Sequence, residues 1–115
     1  MREIRVGAEE QVVSPMIQIG EEIEMEGFCC FRTLSDIYVE RGGRLEAPLL
    51  KVAPRLTIHL KEGGSVSLPT IEEEYVTVVI YSDRPRWTAV ELPKEYALFQ
   101  NCNGGNGKIF RRRLL

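Results

Sequence analysis

The 115 residues carry a formal charge of −2 at pH 7, with 43% hydrophobic and 28% charged residues. That mixture excludes a disordered chain, a collagen-like repeat and a disulfide-dense knot, and at about 100–200 residues per domain it predicts a single domain spanning 1–115. The slightly acidic balance also excludes a global positive field, so any attraction to nucleic acid or anionic lipid must be local.

In chain order, Met1 to Gly7 mixes Arg2, Glu3 and Arg5 with single apolar residues and lacks the apolar centre of an export signal. No apolar run approaches the ~18 residues of a membrane span. The cysteines Cys29, Cys30 and Cys102 are odd in number. Together these features predict a reduced, cytoplasmic chain with no disulfide framework and no membrane contact.

Alternation of apolar and polar residues with period two is the dominant local signal. Ile17, Ile19, Ile23 and Met25 share one parity while Glu22, Glu24 and Glu26 share the other, which predicts a half-buried strand over Ile17 to Glu26 with a carboxylate-lined outer face. Leu56, Ile58 and Leu60 alternate with Thr57, His59 and Lys61, and the pattern resumes at Ser65 to Leu68 after Glu62-Gly63-Gly64. An antiparallel hairpin fits this, with Leu60 opposite Val66, Ile58 opposite Leu68 and His59 opposite Ser67.

Thr70 to Glu74 reads as a turn or one helical turn, and Tyr75 to Tyr81, apolar or amphipathic on both parities, as a central strand. Asp83-Arg84-Pro85-Arg86 is turn chemistry leading to a return strand over Trp87 to Leu92. Pro93 suits the first position of a short helix over the next seven residues, which would serve equally as a strand. Asn103 to Gly107 reads as a loop and Lys108 to Leu115 as a final strand. No internal repeat is evident. About eight short strands with at most one short helix predict an all-β, mainly antiparallel fold, a small β-barrel or β-sandwich, because parallel crossovers need about a dozen or more residues. Unpaired edge strands predict a homo-oligomer.

Candidate chemistry is sparse. Cys29 and Cys30, adjacent on a strand, point to opposite faces and cannot grip one metal together, and no paired cysteine spacing predicts a metal or cofactor site. His59 is the sole histidine and the one available base, with Ser67 as its cross-strand neighbour, but no nucleophile elbow accompanies it. Glu22, Glu24 and Glu26 form a solvated strip, and Glu72, Glu73 and Glu74 a second carboxylate cluster. Arg84, Arg86 and Trp87 combine cations with an aromatic on a turn, and Arg111 and Arg113 share one face of the last strand, with Arg112 on the other. These residues support three readings. The first is a non-catalytic module that binds itself and a protein partner, its Glu strip meeting Arg111 and Arg113 across an interface. The second is single-stranded nucleic-acid binding through Arg84, Arg86, Trp87, Arg111 and Arg113. The third is a small-molecule barrel or simple enzyme using a buried glutamate.

Overall fold

The computed structural model describes residues 3–19, 23–25, 28–30, 34–52, 55–72, 76–101 and 107–113. Its strands are β1 (Glu3–Val6), β2 (Gln11–Val13), β3 (Met16–Ile19), β4 (Ile23–Met25), β5 (Phe28–Cys30), β6 (Leu34–Val39), β7 (Arg44–Glu46), β8 (Leu49–Val52), β9 (Arg55–Leu60), β10 (Ser65–Ser67), β11 (Thr77–Ser82), β12 (Ala89–Glu91), β13 (Tyr96–Asn101) and β14 (Gly107–Arg112), with one 3₁₀ turn at Pro85–Trp87.

The strands do not pair with their sequence neighbours. β1, β6, β9 and β11 form a parallel run, as do β2, β7, β10 and β12, and β3 lies parallel to β8. Four successive coils of chain therefore stack on one another, each supplying one strand to the long sheet and one to the short sheet. The third face is completed by β3, β8 and a parallel bridge between Leu50 and Ile71. The long sheet continues past coil four as the antiparallel hairpin β14–β13, and β4 pairs antiparallel with β5.

The core lies inside this three-faced stack and is built of like-on-like rows. Ile4, Ile37, Ile58 and Ile80 occupy one row of the long sheet, and Val12, Leu45, Val66 and Val90 one row of the short sheet. Ile37, Leu45 and Ile58 in the middle coils are fully buried, whereas Ile4, Val12 and Val90 in the outer coils are only partly buried. Burial that falls off toward both ends is what a stack of coils requires, because each coil is covered only by its neighbours.

The corners repeat as well. Gly7 to Glu10, Glu40 to Gly43 and Lys61 to Gly64 turn the chain from the long sheet to the short one. Glu9, Gly42 and Gly63, the third residue of each corner, all take the left-handed conformation, with φ of 59°, 70° and 77°. The corners are hydrogen-bonded to each other: the N–H of Glu9 donates to Arg41 O at 3.0 Å, that of Gly42 to Glu62 O at 3.0 Å, and that of Gly63 to Trp87 O at 2.7 Å. Each coil then leaves the short sheet through a proline, at Pro15, Pro48, Pro69 and Pro93.

Several expectations are overturned. The fold is mostly strand but not mainly antiparallel, no barrel closes among the described residues, and the described strands number fourteen rather than about eight. The Leu56–Leu68 hairpin does not form: β9 and β10 belong to different sheets, and Glu62-Gly63-Gly64 is a corner rather than a hairpin loop. His59 accordingly sits opposite Tyr38 and Tyr81, not Ser67. Residues 17–26 are not one strand, since β3 and β4 lie in separate sheets. The chain has an internal repeat. Of the two forms open to the segment after Pro93, helix and strand, it takes the strand, β13. Thr77–Ser82 does run inside the long sheet, between β9 and β14, as its apolar character on both parities predicts.

Candidate functional site

Two surfaces gather the residues able to do something. The first is the outer face of the long sheet, where Arg5, Tyr38, His59 and Tyr81 fall in register on consecutive strands. The Arg5 guanidinium lies 4.3 Å from the centre of the Tyr38 ring. Tyr38 stacks on His59 at 4.4 Å, and His59 stacks on Tyr81 at 5.7 Å. Asp36, two residues before Tyr38, accepts or shares a hydrogen bond with His59 Nε2 at 3.2 Å. Parallel stacking in register makes this arrangement, because identical positions on successive coils lie about 4.8 Å apart, close to ring-stacking distance. The ring faces of His59 are covered by Tyr38 and Tyr81 and its Nε2 lies against Asp36, and among the described residues no hydroxyl or thiol is hydrogen-bonded to it. Ser67 instead donates to Glu91 Oε1 at 3.2 Å, on the other sheet.

The second surface is the C-terminal end of the stack. The short sheet stops at β12 in coil four, whereas the long sheet runs two strands further as β14 and β13. The result is a step about 10 Å high at the usual strand spacing. Leu98 pairs with Phe110, and Phe110 with the buried Val78, so Leu98 and Phe110 share the inner face of the overhanging hairpin. Leu98 is 49% exposed. Val90, Leu92 and Phe110 are half-buried against the core beneath it. Phe99 is the extra residue of a bulge between Leu98 and Gln100, and Arg111 lies over its ring at 4.1 Å.

The predicted basic groups are placed apart. Arg84, Arg86 and Trp87 are all exposed on the 3₁₀ corner after β11, with Trp87 63% exposed rather than anchored in the core. Arg111 pairs with Thr77 at the start of β11, and Arg113 follows it. The length of β11, about 17 Å, therefore separates the two clusters. Arg111 and Arg113 are exposed, while Arg112 turns inward, donates to Ile71 O at 3.0 Å and lies 3.8 Å from Glu95, as strand parity predicts. Glu22 and Glu26 of the predicted acidic strip lie outside the described residues, and Glu24 is the middle residue of β4.

A shallow groove of about 460 Å³ runs over the outer face of the short sheet, bordered by Arg44, Glu46, Ser65, Ser67, Ala89 and Glu91. Its carboxylates are not desolvated: Glu46 is held by Arg44 at 2.7 Å and Glu91 is exposed. Among the described residues no barrel closes, and this groove holds no buried glutamate. Among the described residues, no three His, Cys, Asp or Glu side chains converge as metal ligands, and no helix is long and apolar enough to cross a membrane.

Comparison with known proteins finds no matching family model, no matching curated protein and no matching solved structure. The sequence pointed to the basic turn, but neither the aromatic row nor the step was anticipated. Both depend on which strands are neighbours. The spacing of Pro15, Pro48, Pro69 and Pro93 was the signal that could have revealed them.

Proposed function

We propose that the chain is a non-catalytic cytoplasmic interaction module, a stacked β scaffold that self-associates and presents its charged faces to a protein partner. The observation that carries this reading is the open C-terminal end, where Leu98 and Phe99 are exposed on an edge strand without a single charge from Tyr96 to Asn101. Natural edges are usually blunted by charges, prolines or bulges; this one carries a bulge at Phe99 but no charge, and its exposed apolar side chains make it an association surface. Arg111 and Arg113 flank the same edge and are suited to meet acidic side chains, Glu22, Glu24 and Glu26 of a second copy among them. Light scattering after size exclusion at micromolar concentration is expected to give at least twice the chain mass. A single-chain mass at about 100 μM rules self-association out.

A second reading, single-stranded nucleic-acid binding, is favoured by the exposure of Trp87 on the same turn as exposed Arg84 and Arg86. An aromatic face beside guanidinium groups is the elementary stacking-and-phosphate site. Trp87 fluorescence should then quench on titration with a thymidine oligonucleotide at low salt, with affinity falling steeply as salt rises. An unchanged emission at low salt eliminates it.

A further inference from the structure

We draw no further inference here: the strongest candidate, the patch of exposed Arg55, Arg111 and Arg113 around Thr77 on the outer face of the long sheet, carries nothing because Arg111 is stacked on Phe99 of β13, across β14 from Thr77 and Arg55, and nothing in the structure shows what covers the patch.

Discussion

The rings of Tyr38 and His59, 21 positions apart in sequence, lie 4.4 Å apart with their planes 6° from parallel. Neither residue is near the other along a strand or across a turn; they meet because β6 and β9 are consecutive rungs of the long sheet. The row they belong to, from Arg5 to Tyr81, ties four coils together on the outer face, where no core packing helps. A double-mutant cycle with Tyr38→Ala and His59→Ala is expected to give a coupling of about 0.5–1.5 kcal/mol by urea unfolding, the range for stacked aromatic pairs. Additive losses would show that the stack contributes area but no specific interaction.

The corner residues allow a matched pair of substitutions. Glu9 and Gly63 occupy equivalent corner positions with φ of 59° and 77°. A side chain in that region costs roughly 1–2 kcal/mol, which Glu9 already bears. Gly63→Ala should therefore lower unfolding free energy by about 1–2 kcal/mol, since a Cβ there meets nothing closer than 3.4 Å and the cost is conformational. Glu9→Gly should cause no comparable loss, because relief of strain offsets the added freedom of the unfolded chain.

Tyr96 predicts a pH dependence. Its ring is buried under Arg112, 5.7 Å from the guanidinium, and its hydroxyl has no hydrogen-bond partner among the described residues. Burial raises its pKa above 10.0, against a smaller lowering by Arg112. A group whose folded pKa is raised holds its proton more tightly in the folded state. Its contribution is therefore complete below pH 10 and is lost as pH rises from there through the folded value. Tyr96→Phe should leave stability at pH 7 unchanged or slightly higher, since it removes an unpaired buried hydroxyl. It should also flatten the decline above pH 10 followed by thermal melts. An identical alkaline decline in the variant would assign it to other groups.

Strand content was legible because inside and outside alternate along each segment whatever partner the strand takes. Leu56, Ile58 and Leu60 face the core in a hairpin or in a stack of coils, so their parity cannot distinguish the two. Choosing the nearest apolar segment as partner, Ser65 to Leu68, favoured a local antiparallel pair. The actual partners of β9 lie about 20 residues away on either side, at β6 and β11. That pairing is written in the recurring pattern Val-Glu-Arg-Gly-Gly-Arg-Leu-Glu-Ala-Pro at 39–48 and Leu-Lys-Glu-Gly-Gly-Ser-Val-Ser-Leu-Pro at 60–69. Its spacing is obscured between Pro15 and Pro48 by the extra residues that hold β4 and β5, and in coil four by the longer corner at Asp83 to Thr88. The basic cluster of the candidate site was legible because it lies within one turn. The aromatic row and the step were not, since each joins residues from different coils.

Stacking also predicts a gradient of sensitivity along one row. Val12, Val66 and Val90 are the same residue type in the same row of the short sheet, yet Val66 is 2% exposed while the other two are only partly buried. Val66→Ala removes two buried methyl-sized groups between Leu45 and Val90, and should cost about 2 kcal/mol from lost transfer energy and the cavity left behind. Val12→Ala, in the first coil, should cost roughly half as much, because one side of that side chain has no coil to lose contact with. Val90→Ala should resemble Val12→Ala in a monomer, but should approach Val66→Ala at concentrations where the C-terminal step is covered by a second copy. Urea unfolding of the three variants at low and high protein concentration measures both effects. Equal losses at all three positions would mean that the end coils are as well covered as the middle ones, and would count against an open C-terminal end.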